Sequence, residues 1–145
     1  MAAQYRLIDT LSTYWDNLRG ARDFPLEGEF DPDQVKDIWP NCFLVQLDNA
    51  SGIGHFKYTY LGENLIKSFG DHVSEEEARH LVSTSDPKVS EHLAQVVKTG
   101  KPLEVDSSFV NSHKVHIKFR TVLLPLGAVS GKVGFVIGGI RWKAF

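Results

Sequence analysis

At 145 residues, with 42% hydrophobic and 23% charged residues, the chain has the size and make-up of one globular domain that buries its own core. A formal net charge of -2 lacks the basic excess that nucleic-acid binding calls for. The single cysteine, Cys42, excludes an intramolecular disulfide and fits a reducing, cytoplasmic setting.

The opening MAAQYRLIDT has no cationic region followed by an unbroken apolar run, which reads against a signal peptide. No stretch approaches the ~20 apolar residues of a membrane span, so no membrane partner is expected. Leu7, Ile8, Leu11, Tyr14, Trp15 and Leu18 recur at helical steps and form one broad apolar face. Arg19 and Gly20 read as its stop. Asp31 with Pro32 starts a short helix that ends before Pro40.

Phe43 to Leu47 reads as a strand. A turn through Asn49, Ser51, Gly52 and Gly54 leads into a second, where Phe56, Tyr58 and Tyr60 alternate with polar residues. Glu63 to Phe69 reads as a short helix stopping at Gly70, and Ser74 with Glu77 forms a capping pattern. A longer helix starts near Asp86 and Pro87, buries Val89, Leu93, Val96 and Val97, and stops at Gly100. Leu103–Val110, Lys114–Leu124 and Lys132–Trp142 then read as antiparallel strands.

For the hairpin of the third and fourth strands, setting Val110 opposite Lys114 aligns Phe109 with Val115 and Val105 with Phe119. The other face then pairs Asp106 with Lys118 and Glu104 with Arg120, whereas a one-residue slip opposes apolar to charged residues. In the last strand Val133, Phe135 and Ile137 fill one face, and Val136, Ile140 and Trp142 the other. A strand apolar on both faces belongs in the middle of a sheet, covered on both sides.

The order of two strands, helices and three strands resembles the PAS fold, in which the last strand is central. Trp15, Leu18, Arg19, Gly20, Arg22, Phe24 and Pro25 form the pattern W-x-x-L-R-G-x-R-x-F-P. Asp31-Pro32, Trp39-Pro40, Phe43-Leu44, Leu61-Gly62 and Leu123 to Leu126 follow. Together they are similar to a subgroup of short stand-alone PAS proteins found mainly in alphaproteobacteria. The chain departs from that subgroup where Phe69-Gly70 leads into Asp71-His72-Val73-Ser74 rather than a stretch like R-D-L-T-G.

The resemblance implies an α+β fold. A five-stranded antiparallel sheet carries helices on one face, with the N-terminal amphipathic helix on the other face or on a second subunit. Residues 1–24 are then the helix and its loop, and 25–145 the PAS-like domain, in one structural unit.

His92 lies at the margin of the longer helix's apolar side. It is either a boundary histidine or, since haem-binding PAS proteins typically take their iron ligand from that helix, a haem ligand. Asn41-Cys42-Phe43-Leu44 superficially resembles the N-C-R-F-L motif of light-sensing PAS relatives. Cys42 begins the first strand, however, and the adjoining arginine is missing, so a small buried thiol is the better reading. No metal is expected. His113 and His116 are at an odd spacing on a strand, and His72 and His80 flank Glu75 to Glu77, the mark of an exposed acidic helix.

Gly127 to Lys132 reads G-x-x-x-G-K, one residue short of a P-loop and placed between strands, so it is a turn. No catalytic signature is present. A basic stripe of Lys114, His116, Lys118 and Arg120 is taken as neutralised by Asp106 and Glu104.

The expectation is a non-enzymatic sensory module that binds a small, mostly apolar ligand in its core and signals through protein–protein contacts. The cavity candidates are Phe56, Tyr58, Tyr60, Phe69, His92, Val96, Phe109, Phe119, Phe135 and Ile137. Leu7, Ile8, Leu11, Tyr14, Trp15 and Leu18 are the candidate interface for a homodimer or a signalling partner. A ligand-free adaptor is the alternative, with a haem sensor using His92 behind it. An enzyme needs an ionisable group deep inside, where the pattern offers only His92 and tyrosines.

Overall fold

The computed structural model describes residues 7–47, 56–68, 74, 76–77, 89–110 and 113–144. Helix α1 (Leu7–Arg19) leads through short 3-10 turns at Glu27–Glu29, Pro32–Val35 and Trp39–Asn41 into strand β1 (Cys42–Leu47). Strand β2 (Phe56–Leu61), helix α2 (Glu63–Ser68) and helix α3 (Val89–Thr99) follow. Strands β3 (Leu103–Val110), β4 (His116–Gly127) and β5 (Val133–Ala144) complete the sheet, in the order β2-β1-β5-β4-β3 with antiparallel neighbours. The last strand is central, as its two apolar faces require.

The two faces of β5 carry separate cores. On one, Val136 joins Phe43, Val45, Tyr58 and Leu123 beneath Leu65 of α2 and Leu93 and Val96 of α3. On the other, Ile137 joins Cys42, Val122, Leu124 and Leu126 beneath Leu7, Leu11 and Trp15 of α1. Adjacent glycines admit both covers. The Phe43 ring lies where a side chain at Gly138 would stand, and a Cβ at Gly139 would be 2.8 Å from Leu7 and 2.9 Å from Leu11.

Helix α1 ends where the sequence indicates. Gly20 takes φ +58, a left-handed conformation that glycine adopts without steric cost, and its N–H donates to Asp16 O at 3.3 Å. Asp31 caps the turn beginning at Pro32, its Oδ1 accepting from Asp33 N at 3.1 Å. Ser74 Oγ accepts from Glu77 N at 3.1 Å, the expected capping contact. The turn through Asn49 to Gly54, the stop at Gly70, the start at Asp86 and Pro87, and His72 and His80 lie outside the described residues. Gly127 to Lys132 is the β4–β5 turn, with Ala128 N donating to Lys132 O at 2.8 Å.

One register and one alternation differ from expectation. The β3–β4 hairpin sets Val110 opposite His116, Phe109 opposite Ile117 and Val105 opposite Thr121, two residues from the predicted alignment. A two-residue shift leaves every side chain on its face, and Asp106 still meets a cation, Arg120 instead of Lys118. Arg120 Nε donates to Asp106 Oδ1 at 2.8 Å. In β2, Leu44 pairs with Tyr60 but Val45 with Tyr58, so Thr59 is an extra, bulged residue. Its hydroxyl donates to Leu44 O at 3.2 Å.

Candidate functional site

The face under α2 and α3 holds the apolar constellation that a core ligand would meet. Phe43 and Tyr58 stand edge to face at 5.6 Å, as do Phe56 and Tyr58 at 5.8 Å. Tyr58, Val96 and half-buried Phe56 therefore gather as the alternation predicts, joined by Phe43, Val45, Leu61, Leu65 and Leu93. His92 is half-buried on α3 beside Leu93. Phe119 is half-buried farther along β4, opposite Ser107 and Trp142, and Phe109 occupies the position opposite Ile117. Phe69 lies outside the described residues.

Three candidates are on the other face. Phe135 and Ile137 belong to the core beneath α1, because β5 alternates and Val136 takes the helix-covered side. Tyr60 is turned away by the Thr59 bulge. It stacks on Trp39 at 4.5 Å with rings 5° apart, and its hydroxyl donates to Trp39 O at 3.0 Å. Phe43 was missed by sequence reasoning. It carries no signal of its own, since its role depends on the glycine that the fold places opposite it at position 138.

The interface candidates divide as well. Leu7, Leu11 and Trp15 are at most 4% exposed, already covered by the chain's own sheet. Ile8, Tyr14 and Leu18 remain half-exposed. Of the two covers expected for the stripe, the other face of the sheet, through β4 and β5, takes its Leu7, Leu11 and Trp15 side.

The W-x-x-L-R-G-x-R-x-F-P pattern is the clasp that fixes α1 there. Trp15 Nε1 donates to Pro125 O at 2.8 Å, within the Leu123 to Leu126 block. Arg22 Nε donates to Arg19 O at 3.1 Å, Nη2 to Leu18 O at 2.7 Å and to Glu29 Oε2 at 3.0 Å, and Nη1 to Glu29 Oε1 at 2.8 Å. That hydrogen bond, with one from Leu26 N–H, holds the Glu29 carboxyl below its usual range. Gly127 N donates to Pro25 O at 2.8 Å, and the Phe24 ring lies over Gly127. An aromatic row of Tyr14, Phe30, Trp39 and Tyr60, with centroids 5.1, 5.7 and 4.5 Å apart, continues from α1 to β2.

Cys42 is fully buried on the α1 face, its thiol donating to Ile38 O at 3.3 Å. Burial pushes its pKa up to about 12, and the sheet separates it from anything lodged under α2 and α3. His92, the candidate haem ligand, is on α3, whose Cα atoms approach those of β4 and β5 within 8 Å. No helix among the described residues is long and apolar enough to cross a membrane.

The chain matches the family model described as PAS domain over residues 5–141. No curated protein matches it. Its fold is similar to the LOV domain of the Erythrobacter litoralis EL346 blue-light activated histidine kinase, at 13% identity over 72% of this chain and 95% of that one, with TM-score 0.51. A Rhodobacter sphaeroides LOV protein aligns at 13% identity over 78% and 68% of the two chains, with TM-score 0.51. The dark structure of the blue-light photoreceptor Aureochrome1 LOV aligns at 11% identity over 77% and 79%, with TM-score 0.53. The family match includes α1 as well as the sheet, and the five-stranded order with β5 central agrees with it. The chain belongs to the PAS domain family, with the PAS/LOV-like fold of sensory domains.

Proposed function

We propose that this PAS domain is a cytoplasmic, non-catalytic sensory module that binds a small, mostly apolar ligand between the sheet and its α2–α3 cover. The carrying observation is the cluster of Phe43, Phe56 and Tyr58 under Leu65, Leu93 and Val96. A ligand there displaces the Phe43 ring from Gly138 and shifts the helices over the sheet, changing the surface offered to a signalling partner. Among the solved structures of similar fold are the LOV domains of a blue-light photoreceptor and of a blue-light activated histidine kinase. Cys42 offers no equivalent of flavin photochemistry, being on the opposite face.

The second reading is a ligand-free adaptor, favoured by the Phe43 ring filling the space over Gly138. Thermal stabilisation across a compound library, run on the native chain and on Phe43→Ala, separates the two. A ligand at a hundred times its Kd stabilises by about 2.7 kcal/mol, and the enlarged interior of Phe43→Ala should bind more tightly. If no compound raises Tm in either chain, the ligand reading fails and the adaptor reading stands.

A further inference from the structure

We propose that the Thr121 hydroxyl is the polar anchor for the core ligand, selecting a neutral apolar molecule that carries one hydroxyl or carbonyl oxygen. This rests on ligand binding between the sheet and its α2–α3 cover, and adds the group that recognises the ligand there. Thr121 is only 8% exposed, in the middle of β4. Strand alternation puts it on the α2–α3 side, since Leu123 belongs to that core while Val122 and Leu124 belong to the core beneath α1. Val105 of β3 and Ile140 of β5 are its cross-strand neighbours, and Phe119 and Leu123 flank it along β4. These four are apolar, and Val105, Phe119 and Ile140 are half-buried.

A hydroxyl in such surroundings costs stability unless it is paired. Asn41, a second buried polar residue, meets that need by accepting from Asn64 Nδ2 at 2.6 Å. Tyr58 and His92 are likewise engaged within the chain. The Thr121 hydroxyl has no partner among the described residues. None of their side-chain oxygens or nitrogens is both fully enclosed and unpaired, so a water-sized group can reach this one. Valine has the same shape without the oxygen, and packing alone favours it at such a position.

The register fixes where the anchor stands. Leu123 is opposite Gly138, over which the Phe43 ring lies, and Thr121 is opposite Ile140. Thr121 is thus two residues along the sheet from the ring that the ligand displaces, roughly 7 Å. That spacing suits an apolar body seated over Gly138 with a single oxygen reaching Thr121. A threonine hydroxyl both donates and accepts, so an alcohol or a ketone satisfies it. An ionised carboxylate would be lodged among apolar neighbours with no cation beside it, which selects a neutral ligand. A methyl group in place of the oxygen would displace water from the hydroxyl without replacing its hydrogen bond.

The test is an NMR titration of the full chain with phenylpropanol and with butylbenzene, in which a methyl replaces the hydroxyl. Thr121→Val should weaken phenylpropanol binding about fivefold, whereas Thr121→Ser, which keeps the hydroxyl, should retain most of the affinity. Butylbenzene should bind Thr121→Val at least as tightly as the native chain. Without ligand, Thr121→Val should unfold at the native temperature or above it. A lower Tm shows that the fold itself uses the hydroxyl and overturns the proposal. An unchanged ratio of the two affinities in Thr121→Val also overturns it, and leaves ligand binding on this side intact. Binding of neither probe to the native chain or to Phe43→Ala overturns it too, and the wider compound library then decides the ligand reading separately.

Discussion

Trp15 and Cys42 show how single groups hold the α1 face closed. The Trp15 indole N–H is committed to Pro125 O inside a dry layer. Trp15→Phe keeps most of the apolar contact but strands that carbonyl, a loss of about 1–3 kcal/mol measurable by urea unfolding. Cys42 should resist thiol reagents at neutral pH and react only on unfolding. Its raised pKa means that the folded state prefers the protonated thiol. That stabilisation is complete below the ordinary value of 9.0 and is lost as pH rises through about 12. Tyr60, pushed up to about 12 by burial and then by Cys42 and Glu63, acts in the same direction. Stability should therefore fall across this alkaline window, less steeply in Cys42→Ala. At the acid end the lowered Glu29 pKa works the other way: stabilisation is present above the ordinary carboxylate range and is lost as pH falls through it. Glu29→Gln should flatten that slope in acid unfolding.

The elements pack through the paired glycines of β5, and the two positions make opposite predictions. Gly138→Ala collides with the Phe43 ring and should loosen the α2–α3 cover. Gly139→Ala presses on Leu7 and Leu11 and should loosen α1. Each overpacking costs about 1–3 kcal/mol, and hydrogen exchange should locate the loss on opposite sides of the sheet. Helix α1 was legible because its apolar steps end at Arg19-Gly20, and β5 because both its faces are apolar. The β3–β4 alignment was not, since a two-residue shift preserves the faces and exchanges one cation for another opposite Asp106. Nor was the fate of Tyr60, because a bulge at Thr59 leaves no mark on an alternating sequence. Of the ten cavity candidates, Tyr60 moved to the other face with the Thr59 bulge, whereas Phe135 and Ile137 keep their alternation and lie there because the α2–α3 cover takes the Val136 side of β5.

At the scale of the whole molecule, the sheet is a middle layer between two apolar covers, and α1 is part of the fold rather than an appendage to it. Burying Leu7, Leu11 and Trp15 contributes about 1.5–3 kcal/mol per side chain. A chain lacking residues 1–20 should therefore lose solubility and cooperative unfolding, as seen by light scattering and calorimetry. Ligand response, if confined to the α2–α3 side, leaves the clasped side as a fixed base against which the helices move. The most direct measurement is native-state amide exchange on the full chain. Val136 to Ile140 of β5 and Leu11 to Trp15 of α1 should exchange at the slowest rates, falling together under mild denaturant. Rapid exchange of α1 while β5 stays protected, or an unprotected β5, would contradict a sheet covered on both sides.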